Sequence, residues 1–385
     1  MAIKRPIKRT KYFSHLIGTL PKGCALCVGG FKTVVFITGL CPRHCSYCPI
    51  SDLKFQKDVT FANEWPTSDP GELIREAELC SAKGAGFTGG DPLVKIRRTV
   101  SYIKALKKYF GKAFHIHLYT SFDLATPENL RVLYDAGLDE IRFHPDLWDR
   151  KLWGRIDNAT AFGWDVGVEI PVVPDMKAQT LELMGFINNK VKFLNLNELE
   201  VSDAGASKLT EQGYKTKDSL SYGIKGSEKL AKELLRHAAK HFSYSVHYCT
   251  AKLKDKVQLA KRIQLRAKKV RQKFDIVNKD GTLTRGVIYL HFLIPSFNYL
   301  DALSKLRPEQ RQFALSRLEI VRKHLMREYG VPADMLLIDR QRIRLLTNVG
   351  VVQHLAKQLK DATLRPAIVT EYPTWDALIV ELEWV

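Results

Sequence analysis

The densest set of reactive side chains in this chain is the run Cys41-Pro-Arg-His-Cys45-Ser-Tyr-Cys48. Thiolates are soft ligands, and three so close together read as metal chelation rather than packing. A cubane iron–sulfur cluster normally takes four cysteine thiolates. Three in one tight loop leave one iron open to an outside ligand, which marks a reactive centre rather than a structural one. A zinc knuckle is the competing reading, and it requires a fourth ligand such as His44 or a distant residue. Just upstream, the apolar run Thr33-Val-Val-Phe-Ile-Thr38 has strand character. The cysteines therefore follow the carboxyl end of a strand.

One strand–helix–strand step later comes Gly89-Gly90-Asp91-Pro92. Glycines let backbone approach a ligand closely, and the proline limits how the chain continues. The C-x3-C-x2-C spacing, the aromatic Tyr47 before the last cysteine and this turn together resemble the signature of radical S-adenosylmethionine enzymes. The resemblance spans roughly residues 20–250. Within the superfamily the chain looks similar to an archaeal group of relatives of pyruvate formate-lyase activating enzymes, of undefined activity. The resemblance implies a [4Fe–4S] cluster on Cys41, Cys45 and Cys48, whose open iron chelates the methionine amino and carboxylate groups. Reductive cleavage of S-adenosylmethionine then gives a 5′-deoxyadenosyl radical. It also implies that the backbone edge at Gly89 and Gly90 binds the amino group, with Asp91 in place of the commoner glutamate. An electron donor such as ferredoxin or flavodoxin is a further implied partner.

From Thr33 to Cys249 short apolar strands alternate with amphipathic helices, the rhythm of βα units around a parallel sheet. Strands are expected at Val34–Thr38, Ala85–Thr88, Phe114–Thr120, Glu140–His144, Asp165–Val173, Phe193–Val201 and Ser243–Tyr248. Helices are expected near Pro70–Ala82, Val94–Phe110, Pro127–Ala136, Leu147–Ala161, Lys177–Asn189 and Ser227–His241. Six or seven units are too few for an eight-stranded barrel. They fit an α/β fold, the partial (β/α)6 barrel that the resemblance implies. Sites in parallel barrels gather at the carboxyl ends of the strands. That rule selects Thr120, Ser121 and Asp123, then Arg142 and His144, then Glu169, Pro171 and Val173. By resemblance, groups after the third and fourth strands hold the ribose and the methionine carboxylate, and the segment 167–173 passes near the adenine. Arg142 is the strongest carboxylate candidate, since a guanidinium binds carboxylates bidentately. Glu198, Glu200 and Asp203 either line the substrate cavity or pair with basic neighbours.

Cys24 and Cys27 form a second pair, in a glycine-flanked C-x2-C that reads as a chelating turn. Two thiolates do not complete a site. Cys249, at the end of the last expected barrel strand, is the nearest third ligand, with His247 or a residue elsewhere as the fourth. A second metal, zinc or an iron–sulfur cluster, competes here with simple buried cysteines. Cys80, alone on an expected helix, reads as a packed small hydrophobe.

The chain divides on this reading into a basic arm with the C-x2-C (1–32), the barrel (33–250), a basic helix (251–273) and an α+β unit (274–385). In the last, Asp280-Gly281 signals a hairpin. Strand–helix–strand–strand–helix–strand is then the ferredoxin-like pattern. A formal net charge of +19 over 385 residues suggests a polyanionic partner. The helix from Ala251 to Lys273, apolar on one face and mostly Lys and Arg elsewhere, suits phosphate contacts. A tRNA to be modified is the first expected substrate, and a protein activated by hydrogen abstraction is the alternative. A zinc-stabilised nucleic-acid-binding protein without catalysis is the reading from another class. It leaves the Gly89–Pro92 turn and the βα series unexplained. No apolar run reaches the roughly 18–20 residues that span a bilayer. No secretory signal is evident. Metal-type cysteine spacing places the protein in a reducing cytoplasm.

Overall fold

The computed structural model describes residues 4–202, 205–296, 299–356 and 363–385. Asp203 lies outside the described residues, so its expected cavity role has no structural account. The chain forms two compact units, Met1–Arg262 and Ile263–Val385, and the division falls inside the basic segment 251–273.

In the first unit seven described strands run parallel in chain order. They are β1 (Lys32–Phe36), β2 (Gly84–Thr88), β3 (His115–Thr120), β4 (Glu140–Phe143), β5 (Asp165–Val172), β6 (Phe193–Glu198) and β7 (Ser245–Cys249). All seven expected strands form, and the last, β7, joins β6 in register, Asn195 opposite His247 and Asn197 opposite Cys249. Short antiparallel strands cover both edges: Phe61–Ala62 against β1, and His15–Ile17 against β7. The sheet is open, since β1 and β7 stand at opposite ends of the parallel series.

Side chains alternate across a strand, and here the two faces differ sharply. Ile116 and Leu118, Ile141 and Phe143, Val168 and Ile170, and Leu194 and Leu196 are fully or almost fully buried in the apolar core with the helices. The other face carries His115, His117 and Tyr119, then Glu140 and Arg142, then Glu169, Asn195 and His247. The lumen is therefore polar. The helices start where local chemistry dictates: Asp69 accepts the Gly71 and Glu72 N–H groups ahead of Pro70–Leu79, which satisfies donors that a helix start leaves unpaired.

Two local expectations fail for identifiable reasons. The stretch Leu147–Ala161 is a 3-10 turn at Trp153–Arg155 followed by a helix at Ile156–Thr160. Asp146 accepts the N–H groups of Trp148 and Asp149, an Asx turn that competes with helix. The C-x2-C is not a turn either, but lies on the helix α1 (Lys22–Gly29). This helix packs against the lumen, where the Gly23 N–H donates to Glu140 at 3.2 Å. A Cβ at Gly23 would lie 2.6 Å from both Arg142 Nη2 and His117 Nδ1, so only glycine permits this approach.

The second unit has an antiparallel sheet around Leu283–Leu290, flanked by Arg344–Thr347 and Leu364–Glu371. Leu337–Asp339 and Ile379–Trp384 lie outside these, and Ile276–Val277 closes the expected hairpin, with Gly281 at φ +92°. Two helices, Pro308–Glu328 and Val349–Ala356, connect the strands. The sequence predicts the second as a helix near Val349–Leu359, and residues 357–362 lie outside the described residues. A short helix at Tyr299–Ser304 was not expected. The interior carries a bidentate Arg344–Glu371 pair at 2.7 and 2.8 Å. No helix among the described residues is long and apolar enough to cross a membrane.

Candidate active site

A cavity of about 790 Å³ opens at the carboxyl ends of the strands. Cys41, Cys45 and Cys48 line it, together with Tyr47, Gly89, Gly90, Ser121, His144, Glu169 and Pro171. Residues far apart in sequence thus share one wall. The cysteine loop is tied to the turn after β2 by backbone alone: the Gly90 N–H donates to Thr38 O at 2.8 Å and the Asp91 N–H to Leu40 O at 2.9 Å. A Cβ on Gly90 would stand 2.3 Å from Leu40 O. The glycine pair therefore lets two loops touch.

Asp91 does not line the cavity. It is buried and accepts the N–H groups of Leu93 and Ser121, both at 3.0 Å, with the hydroxyls of Thr120 and Ser121 at 2.8 Å. One carboxyl locks the turn after β2 to the loop after β3. Burial pushes this carboxyl up, while the hydrogen bonds pull it down.

Tyr47 Oη lies 3.0 Å from His144 Nε2, and His144 Nδ1 lies 2.9 Å from Glu169 O. A carbonyl only accepts, so Nδ1 carries the proton and Tyr47 donates to Nε2. Burial, aided by Arg43, pushes the imidazole down to about 4, so it is neutral. Arg43 reaches His144 O at 2.7 Å and Asp146 at 3.1 Å. The last two cysteines are thus braced against β4 and β5.

Arg142 requires a correction. It is 2% exposed, pairs with Glu140 and Glu169, and donates to Tyr119 Oη at 3.0 Å. Its guanidinium is committed within the lumen rather than offered to a carboxylate ligand. Burial opposes the charge on Glu169, yet Arg142, Asn195 and Asn197 hold its carboxyl below the ordinary range. Asp123 and Val173 do not line the cavity: Val173 is buried in the core, and the Asp123 N–H turns back to Ser121 Oγ. Lys32, Tyr119 and Asn197 do line it and were missed, as was Lys54, whose Nζ sits 3.8 Å from the Phe61 ring centroid. Two-residue alternation along β1 and β3 would have placed Lys32 and Tyr119 inside.

The pair Cys24 and Cys27 lies off the cavity, beneath it. Asn195 Nδ2 donates to Cys24 Sγ at 3.2 Å. Cys249 is buried with Val28, Leu253 and Val257. Burial pushes the Cys24 thiol up to about 11 and Cys41 up to about 12. Cys80 lies apart, buried beside Glu76 and Asn63.

The donor set and the space fit the implied cofactors. Three thiols on one turn face a cavity within the roughly 300–1,000 Å³ range of ligand pockets. A family model for the radical S-adenosylmethionine superfamily matches residues 35–182, and one for a domain of unknown function (DUF8061) matches residues 281–383. A protein of Methanocaldococcus jannaschii, provisionally named a glycyl-radical enzyme activating enzyme, is 36% identical over 380 residues, 96% of this chain and 94% of its own. Among solved structures, SuiB of Streptococcus suis bound to its precursor peptide SuiA is similar at a TM-score of 0.40 and 12% identity, over 57% of this chain and 48% of that one. Methylornithine synthase is similar at 0.36 and 17% identity, over 57% and 71%. The full-length relative and the superfamily match at the cysteine loop agree with the site: the chain belongs to the radical S-adenosylmethionine superfamily, whose enzymes use a [4Fe–4S] cluster and S-adenosylmethionine.

Proposed function

We propose that this enzyme directs its radical chemistry at a polypeptide. The observation that carries this is the relative of 36% identity along 96% of the chain, named for activation of a glycyl-radical enzyme. Cys41, Cys45 and Cys48 would hold the cluster, and the Gly89–Gly90 edge and Ser121 would border S-adenosylmethionine. Bound there, these cofactors supply a 5′-deoxyadenosyl radical able to abstract hydrogen. The chain's own part is positional: Asp91 fixes the two loops, the Tyr47–His144 bond braces the cysteines, and Glu169 is held in the wall by Arg142 and two asparagines.

Leu53, Trp148, Leu220 and Tyr222 are exposed on loops of the carboxyl-terminal face, with Trp148 stacked 6.5 Å from Tyr47. Exposed apolar side chains around a cavity suit a protein partner. The expected phosphate-binding helix offers less than its composition suggests. Lys254 pairs with Glu200, Lys261 donates to Val28 O, Arg262 pairs with Glu64, and Arg266 is buried. Four of its basic residues are thus engaged while Lys252, Lys256, Lys268 and Lys269 stay exposed, which weakens the argument for an RNA substrate. We read the second unit as a ferredoxin-like domain, on its strand order and antiparallel pairing.

The test is substrate-stimulated formation of 5′-deoxyadenosine. Anaerobically reconstituted enzyme is given S-adenosylmethionine, a reductant and extract of the producing organism, treated beforehand with protease or with ribonuclease. Stimulation that survives ribonuclease and is lost with protease supports the proposal; the reverse pattern overturns it.

A further inference from the structure

The lumen below the cavity holds polar groups that the proposed chemistry leaves unused. Asn195 marks their position. Its Nδ2 donates to Cys24 Sγ at 3.2 Å, and it stands opposite His247 across the β6–β7 pair. Two residues further along the same face, Asn197 stands opposite Cys249. Cys24, His247 and Cys249 therefore face one corner of the lumen. Cys27 follows Cys24 by one turn of α1, and the next residue, Val28, packs in the cluster containing Cys249.

His247 is 2% exposed, and neither ring nitrogen has a hydrogen-bond partner among the described residues. A buried imidazole without partners is costly. Charge points the same way. Lys32 has no ion pair among the described residues. Lys254, beside the cysteines, has Glu200 as its partner. Metal binding converts thiols to thiolates, a charge that an ammonium in the lumen would offset.

We propose that Cys24, Cys27 and Cys249, with His247 as the nitrogen donor, hold a second thiophilic metal centre beneath the cavity, zinc or an iron–sulfur cluster. The site joins α1 to β7 across the open side of the sheet. It fastens the amino-terminal helix to the last parallel strand and completes the cavity floor. Among the described residues no three such donors stand at ion-binding distance. This holds for Cys41, Cys45 and Cys48 as well, so at either site the thiols close around the metal as it binds. The proposal is independent of what the substrate is.

The experiment measures metal rather than turnover. A protein with Cys41, Cys45 and Cys48 all replaced by alanine is loaded anaerobically with zinc, with cobalt(II) as a spectroscopic probe, or with iron and sulfide. It should retain about one zinc or cobalt per chain, or about four irons. Cobalt should show sulfur-to-metal charge-transfer absorption. Adding Cys24→Ala or Cys249→Ala should abolish loading, and His247→Ala should weaken it at least tenfold. Should the triple variant not fold, the full-length wild type is compared with its Cys24→Ala variant, which should lose one metal centre and keep the other. A folded triple variant that takes up none of these metals, or a Cys24→Ala protein with wild-type metal content, overturns the proposal.

Discussion

Replacing Asp91 tests whether one carboxyl holds together the two loops that border the cavity. It is 1% exposed. Its Oδ1 accepts the Leu93 N–H and its Oδ2 the Ser121 N–H, each at 3.0 Å, and two hydroxyls complete the set. The hydroxyls can rotate toward other acceptors, whereas the two backbone donors cannot. A buried donor left unpaired costs about 1–3 kcal/mol. Asp91→Ala strands both, so a loss of about 2–6 kcal/mol is expected. Asp91→Asn keeps one oxygen and turns its NH2 toward the other donor, so about half that loss is expected.

The assay combines urea unfolding with hydrogen exchange at the Leu93 and Ser121 amides. Exchange is needed because a chain of two units need not unfold in a single step. Protection at both amides should fall in the alanine variant, and at one of them in the asparagine variant. The Asp91 N–H also anchors Leu40 O, one residue before Cys41. Affinity for S-adenosylmethionine should therefore drop in the same order. An alanine variant within about 1 kcal/mol of wild type, or an asparagine variant as costly as alanine, would refute the reasoning.

Three further outcomes are expected. Gly90→Ala puts a Cβ 2.3 Å from Leu40 O, and a loop shift of about 1 Å should cut 5′-deoxyadenosine formation about 100-fold; Gly154→Ala, with nothing within 4 Å, is the control, and equal activity in the two would defeat the claim. Cys45→Ala should abolish 5′-deoxyadenosine formation with an unchanged circular dichroism spectrum, since Cys45 is only partly buried and packs on the core from a loop outside the strands and helices; turnover by this variant would contradict the cluster assignment. Hydrogen bonds from Lys217 and then Lys232 push the Glu228 carboxyl down to about 2 from 4.5, so its stabilisation is present above pH 4.5 and lost as pH falls toward 2; Glu228→Gln should flatten that part of the acid unfolding curve, and an unchanged curve would show that the pairs contribute nothing.

The cavity wall was legible because its chemistry is local. The cysteine loop and Gly89–Gly90 carry their signatures in a few consecutive residues, and the strand-end rule reached Ser121, His144 and Glu169. What was not legible depends on tertiary partners. Arg142 at the end of a strand looks identical in sequence whether it faces a ligand or a buried glutamate, and only the packing of β3, β4 and β5 decides. The C-x2-C read as a turn because flanking glycines usually break helices. Here Gly23 is needed inside the helix for close approach to Arg142 and His117, while Gly30 ends it at φ +78°. Lys32 stands just before the apolar run 33–38, and period-two alternation from Val34 and Phe36 assigns it to the lumen.

The buried arginine explains how the polar lumen serves the site above it. Arg142 alone in such a place would be prohibitively costly, and removing either partner would leave an uncompensated charge. With Glu140 below it, Glu169 above and Tyr119 alongside, the guanidinium spans the lumen and ties β3, β4 and β5 at fixed height. Asn195 at 2.7 Å and Asn197 at 2.9 Å then fix the remaining side of Glu169 from β6. Glu169 also gives its backbone carbonyl to His144, which in turn meets Tyr47 of the cysteine loop. A continuous chain of hydrogen bonds therefore runs from the lumen to the cysteines through one residue. Polar groups in a barrel interior would weaken a fold that needed only stability. Here they hold the strand ends in register around the cavity, which is where radical chemistry requires rigid walls.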